Sequence, residues 1–281
     1  KFSRLAFYQL GADHYNDHTF TSLARGHAGG LVEEWPVGEC GGKKYQRQGI
    51  ACEGNAPWFS LHGGERNAYH KKGAWANRGL VVRSWKARIG GQDLPCPTAA
   101  VYGTQDGVPS ANVELTPPPE VAALEAGDYV EMEIECLVVP VSAEDYYGPN
   151  AALRADLAAN GNTWRVIQRL AQGNDLDVRV ELGALERRYP IAVTADANER
   201  AVFEVRGGLG YVPITVSGLR HALGYALKVQ GNLVDQSVRG NDFWQAEYDA
   251  DAAAYRQTYN VCLDRPDSDS APWRFEFGPK E

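Results

Sequence analysis

Hydrophobic and polar residues alternate with a period of two along most of the chain. Val130, Met132, Ile134, Cys136 and Val138 alternate with Glu131, Glu133 and Glu135, the pattern of a half-buried strand with an acidic outer face. On this pattern the Cys136 thiol points into the core. Leu176, Val178, Val180 and Leu182 alternate in the same way with Asp175, Asp177, Arg179 and Glu181. Tyr225, Leu227 and Val229 lead to Gly231-Asn232, a two-residue hairpin signal ahead of Leu233-Val234. Further strands are predicted over 4–10, 80–89, 201–206, 212–217 and 255–261, with turn clusters such as Pro117-Pro118-Pro119 and Gly207-Gly208 between them.

Only one region carries helical punctuation. Pro149 opens a helix over 150–159, Asn160-Gly161-Asn162 interrupts it, and a second helix over 163–172 ends at Gly173. The expectation is an all-β chain, an antiparallel β-sandwich with one short helical hairpin insert. Residues 1–148 would form an N-terminal sandwich half, 149–173 the insert and 174–281 a C-terminal half.

Composition narrows this picture. With 281 residues, 44% of them hydrophobic, the chain can bury a full core, which excludes disorder as its main state. The longest apolar run, Cys136 to Val141, is too short for a membrane-spanning helix. A net charge of −8 argues against a general nucleic-acid binder. Five cysteines occur without a C-x-x-C pair, so a zinc ribbon is unsupported. Cys40 and Cys52 flank Gly41-Gly42 and would close an 11-residue loop in an oxidising compartment. The chain opens at Lys1, close to a strand-like stretch, as expected of a processed or excised piece.

The charge is unevenly distributed. Between His62 and Arg88 stand seven basic residues and one acid, a segment of +6 that leaves −14 for the remainder. Such an island is a candidate site for an anionic ligand; the competing reading is a face paired with acidic strands such as Glu131, Glu133 and Glu135. Within it Arg83 and Trp85, two residues apart, would share one face of a strand. A sugar could stack on the indole while the guanidinium holds its carboxylate. Trp58, Trp75, Asn77 and Arg78 would extend the platform. Ordinary sandwich packing is the competing reading for each Trp.

Elimination across a uronate glycosidic bond needs a base for the α proton, a neutraliser for the carboxylate and an acid for the leaving oxygen. His62 or His70 would serve as base, Tyr15 or Tyr69 as acid, and Arg78 or Arg83, with Asn77, as the clamp. His14 and His18 would share a face if helical and could then hold a metal; in a loop, Asp13, Asn16 and Asp17 would suit Ca²⁺. A hydrogen-bonded polar loop competes with both, and no metal site or cofactor is assigned. Neither G-x-S-x-G nor a P-loop occurs. Glu33 and Glu34 beside Trp35, or Asp242 and Glu247 around Trp244, are the carboxylate pairs open to a hydrolase. No N-x-Ser/Thr sequon is present.

Leu124-x-x-Gly127-Asp128-Tyr129-Val130-Glu131, leading into a long amphipathic strand, resembles the β-supersandwich of the galactose-mutarotase-like fold. The segments 208–213 and 240–245 are similar to the β-rich C-terminal regions of secreted bacterial polysaccharide-degrading enzymes. The resemblance implies a carbohydrate ligand and a secreted or periplasmic setting, and assigns no catalytic residue. The expected function is therefore action on an acidic, uronate-containing polysaccharide by lyase-type β-elimination. The alternatives are a non-catalytic carbohydrate-binding or structural module of a larger polysaccharide-degrading enzyme, and a mutarotase-type or glycosidase enzyme on a neutral sugar. The expected partners are an acidic polysaccharide or oligosaccharide and further domains of a larger protein, with no nucleic acid and no membrane span.

Overall fold

The computed structural model describes residues 5–11, 20, 22–36, 47–63, 76–102, 112–208, 210–234, 244–263 and 271–280. Strands take up 56% and helices 9% of it, so the all-β expectation holds. The chain forms two compact units, Lys1–Tyr147 with Arg154–Gln172, and Gly148–Leu153 with Gly173–Glu281.

The first unit contains β1 (Tyr8–Gly11), β2 (Ser22–His27), β3 (Gly30–Pro36), β4 (Arg47–Ala51), β5 (Trp58–His62), β6 (Ala76–Ile89), β7 (Gln92–Leu94), β8 (Thr98–Tyr102), β9 (Asn112–Thr116) and β10 (Tyr129–Pro140). A four-stranded sheet runs β1-β9-β8-β4, and a six-stranded sheet runs β10-β6-β5-β2-β3 with β7 beside β6. Their facing sides share one core, in which Leu10, Val101, Val113 and Leu115 meet Leu23, Phe59, Leu61, Leu80 and Val82. The two helices are α1 (Ala151–Asn160) and α2 (Arg165–Ala171). The Asn150 carboxamide accepts the Leu153 N–H at 2.8 Å, a side-chain cap for the start of α1. Helix α2 packs on β5 and β2, so β5 is buried on both faces.

The second unit contains β11 (Asp177–Leu182), β12 (Ala184–Arg187), β13 (Ile191–Thr194), β14 (Ala201–Arg206), β15 (Tyr211–Leu219), β16 (Tyr225–Val229), β17 (Asn232–Leu233), β18 (Trp244–Asp249), β19 (Ala254–Cys262) and β20 (Trp273–Pro279). The orders are β11-β14-β20-β16-β17 and β12-β13-β15-β19-β18. Phe203, Phe275, Leu227, Ile214, Val216 and Tyr259 lie in their common core. The hairpin turn falls one residue earlier than expected. Lys228 pairs with Leu233 and Val229 with Asn232, leaving Gln230 and Gly231 in the turn with φ of 50° and 76°, the left-handed pair of a type I′ connection.

Where β6 meets β10 the ladder slips. Glu133 opposes Ser84 and Ile134 opposes Val82, so Arg83 is an extra residue on β6, a β-bulge. The bulge reverses the facing of every residue beyond it. Leu80 and Val82 lie in the core, yet so does the odd-numbered Trp85, which packs against it. Arg83 and Trp85 therefore do not share a face, a correction to simple alternation. Trp85 donates to the Leu94 carbonyl at 3.2 Å. Arg83 turns toward α2 and bonds the Leu170 and Ala171 carbonyls at 3.2 and 3.3 Å. It also forms an ion pair with Glu135, the two side chains being 5% and 13% exposed. The outer face of β10 is thus acidic at Glu131 and Glu133 but closed by a buried ion pair at Glu135.

Two cysteine expectations also change. Cys136 is exposed and Val138 is 74% exposed, because β10 is the sheet's edge and its core-side residues overhang there. The Cys136 sulfur meets the Tyr8 hydroxyl at 2.6 Å. Cys52 is a free buried thiol, so the bridge to Cys40 is not formed; Cys40 itself lies outside the described residues.

Removing one partner of a buried ion pair strands the other charge in low dielectric. Arg83→Ala is expected to lower stability by about 3–5 kcal/mol, while Arg83→Met with Glu135→Leu should recover most of it. Urea denaturation of the three proteins measures this; a loss in the single variant below about 1 kcal/mol, the range of exposed pairs, would contradict it.

Candidate functional site

The face of the six-stranded sheet beneath α2 collects several residues singled out by sequence. Trp58, Ser60 and His62 alternate on this side of β5, and Asn77 and Arg83 lie on the same side of β6 before its bulge. The Trp58 side is closed. The Trp58 indole N–H donates to the Gln168 side-chain oxygen at 2.9 Å and to the His27 carbonyl at 3.2 Å. Its ring stacks on Trp164 with centroids 6.0 Å apart, and it is 0% exposed. Asn77 is buried and donates to the Gly161 carbonyl at 2.5 Å. Gly161 has to be glycine: a Cβ there would lie 2.5 Å from the Leu157 and Val141 carbonyl oxygens.

His62, 2% exposed, is the centre of a polar chain. Its Nδ1 lies 3.2 Å from the Ser60 hydroxyl and its Nε2 lies 2.7 Å from Glu34 Oε1. The second Glu34 oxygen accepts the Trp164 indole N–H at 2.8 Å. A neutral imidazole protonated on Nε2 satisfies every member: Ser60 donates to Nδ1, and Nε2–H donates to the carboxylate. Burial lowers the His62 pKa below its ordinary value, against the opposing pull of Glu34. The order Ser–His–Glu has the composition of a nucleophilic triad, but the Ser60 hydroxyl is fully buried, so no substrate atom reaches it in this arrangement.

The other assigned residues are elsewhere. Arg78 lies on the core side and donates to the Gly11 carbonyl at 2.6 Å; Trp85 is also on the core side. Tyr15, Tyr69, His70 and Trp75 lie outside the described residues, as do the His14–His18 segment and Asp242. Glu247 pairs with Arg256 at 2.8 Å. Glu33 and Glu34 point to opposite faces of β3 and do not converge as a carboxylate pair.

An accessible groove is formed instead by Arg25, His27, Val32, Arg47, Gln48 and Glu53. Its walls come from β2 and β3, at one edge of the six-stranded sheet, and from β4, the edge of the four-stranded sheet. The groove has a volume of about 830 Å³. Glu33 stands between the two guanidiniums, 3.3 Å from Arg25 and 2.5 Å from Arg47. Hydrogen bonding from Arg47, with help from Arg25, holds its carboxyl below the ordinary range. Arg47 also lies over the Trp35 ring, 5.2 Å from its centroid, and its side chain is 42% exposed. His27 Nδ1 accepts the Gly29 N–H at 2.9 Å, which leaves Nε2 as its donor in the neutral ring. Of the residues that make this site, sequence pattern singles out Glu33 alone, and as half of a carboxylate pair with Glu34 that does not form. Arg25 and Arg47 lie on separate strands of different sheets, and only the approach of β4 to β2 and β3, with Glu33 between the two guanidiniums, brings them together.

A second acidic centre lies in the other unit. The Glu199 carboxylate accepts the Arg220 backbone N–H at 2.7 Å and the Tyr225 hydroxyl at 2.5 Å. It also pairs with the Arg220 guanidinium at 2.8 Å. These bonds, Arg220 first, bring its pKa down to about 2. Every oxygen is committed to holding that corner.

No protein-family model, curated protein or solved structure matches the chain. Among the described residues no helix is long and apolar enough to cross a membrane.

The His62 chain sets a pH dependence with a definite sign. His62 is neutral in the fold and takes up a proton more readily when unfolded, so its contribution is complete above about pH 6.5 and is lost as pH falls from there toward its lowered folded value. Thermal unfolding of the wild-type chain between pH 7.5 and 5 is expected to show this loss, and His62→Gln to show a smaller one. An equal decline in both proteins would remove His62 as its source.

Proposed function

We propose that the chain is a carbohydrate-binding β-sandwich module that holds an acidic saccharide in the groove between β3 and β4, and that it acts by binding rather than by β-elimination. The observation that carries this reading is the groove itself, with two guanidiniums around one carboxylate and the Gln48 amide, His27 and Glu53 along its walls. Planar groups that mix donors and acceptors suit sugar hydroxyls, and the part-exposed Arg47 guanidinium suits a uronate carboxylate by charge-assisted hydrogen bonds. Val32, half exposed at the rim, offers an apolar patch to a ring face. The preference for binding over turnover is supported by His62, whose two ring nitrogens are both engaged beneath the helices. The resemblance noted in the sequence adds the setting, a secreted or periplasmic protein with further domains.

Calorimetric titration with polygalacturonate or alginate oligosaccharides, beside neutral oligosaccharides of equal length, tests the reading. Uronate binding is expected to weaken with added salt and to fall about tenfold or more in Arg47→Ala, the loss of one hydrogen bond to a charged group. No binding across the panel, or binding unchanged in Arg47→Ala, would overturn it. A steady rise in ultraviolet absorbance from unsaturated product would replace it with a lyase.

A further inference from the structure

Strand β16 leaves its sheet early. Its last pair with β20 is Val229 opposite Phe275. The next residue, Gln230, still donates its N–H to the Arg274 carbonyl at 2.9 Å, but the return bond goes to a side chain, Gln230 Oε1 accepting the Arg274 N–H at 3.0 Å. The chain then turns through Gly231 into β17, where Asn232 stands opposite Val229. Trp273, two residues before the buried Phe275 and therefore on the core side of β20, packs against the core of the second unit but lies past the end of β16. A cavity of about 320 Å³ opens at this end of the sandwich, lined chiefly by Val229, Gln230, Asn232, Val234, Val261 and Trp273. Val234 and Val261 are buried core residues, while Gln230 and Asn232 are exposed at the mouth. None of the described lining residues is charged. Arg274, next to Trp273 in the chain, is held by Glu181 and Glu276 at 2.6 and 2.9 Å.

We propose that this cavity binds a neutral aromatic molecule of one or two rings that carries a hydrogen-bonding group. Its size lies at the small end of ligand pockets, which run from roughly 300 Å³ upward, so it takes a compact ligand. An uncharged lining offers nothing to offset the desolvation of an ionic ligand, which excludes uronates and other anions. Three valines and an indole offer dispersion and apolar burial to a planar ring. A saccharide suits them poorly, because hydroxyls around the whole ring would meet valine methyls and lose their hydrogen bonds to water without replacement. Polar partners stand at one side only, the amides of Gln230 and Asn232, and they suit a single donor or acceptor on the ligand. Gln230 Oε1 is committed to Arg274, which leaves Asn232 Oδ1 as the acceptor and both amide nitrogens as donors. The groove of the first unit, with Arg25, Arg47 and Glu33, is built for a different chemistry, and this site stands whether or not that groove holds uronates.

Indole is the probe, added to the full chain while methyl and aromatic NMR shifts are recorded. Saturable shifts are expected at the Val229, Val234 and Val261 methyls and at the Trp273 ring, with galactose at the same concentrations leaving them in place. Asn232→Ala is expected to weaken indole about fivefold, the loss of one neutral hydrogen bond. Asn232→Trp puts a bulky ring at the mouth from an exposed position and is expected to remove binding, while the shifts of the other strands stay as in the wild-type chain. Three results would overturn the proposal: no saturable shift with indole, the same methyls moved by galactose instead, or indole bound unchanged by either Asn232 variant.

Discussion

Among the described residues, the side chain that makes the most bonds between the outer layer of the first unit and its sheet is Gln168. Gln168 on α2 accepts the Trp58 indole N–H at 2.9 Å through its oxygen. Through its nitrogen it donates to the His27 and Ala28 carbonyls at 3.1 and 3.2 Å. An amide buried without partners would destabilise the fold by a few kcal/mol; here all of its bonding capacity is directed at β5 and at the turn after β2. With α2 fixed there, the second face of the sheet becomes an interior. The buried polar groups on it have to be satisfied by neighbours, which is why Ser60 and His62 bond one another and reach Glu34 at the rim of the layer, and why Arg83 meets Glu135.

That layer decides which chemistry is accessible. His62, Trp58, Asn77 and Arg83 have residue types that suit a uronate site, and they do share one face of a sheet. They share it under cover, each bonded to a neighbour that keeps it in place. The open face of the same unit lies at the sandwich edge, where β3 and β4 leave a groove between two sheets. A sandwich edge exposes polar side chains from two strands that do not pair with one another, so a ligand can lie between them without displacing a ladder.

Much of this architecture was legible in the chain. Period-two alternation marks β10, β11, β14, β15 and β19, and Asn160-Gly161-Asn162 marks the break between α1 and α2. The bulge at Arg83 was not, because an extra residue in one strand is a property of the pair and leaves no local signature. It separates Arg83 from Trp85 and dissolves the platform that their spacing suggested. The covering of β5 was not legible either: Trp58-Phe59-Ser60-Leu61-His62 alternates like a one-sided strand, and only α2, more than a hundred residues later, makes both sides interior. The Leu124–Glu131 segment has a plain structural basis. Asp128 accepts backbone N–H groups from Glu125, Gly90 and Gly91 at 2.8, 2.7 and 3.0 Å and so joins the turn before β10 to the turn after β6.

On the proposed reading, ligand meets this protein at the β3–β4 edge and not at the buried His62 chain. Backbone and side-chain NMR shifts recorded while an acidic oligosaccharide is added test it directly. Saturable shifts are expected at Arg47, Gln48, Gly54 and His27, with the His62 ring and the Trp58 indole unmoved. Shifts centred on His62, Trp58 and Trp164 with a silent groove would contradict it.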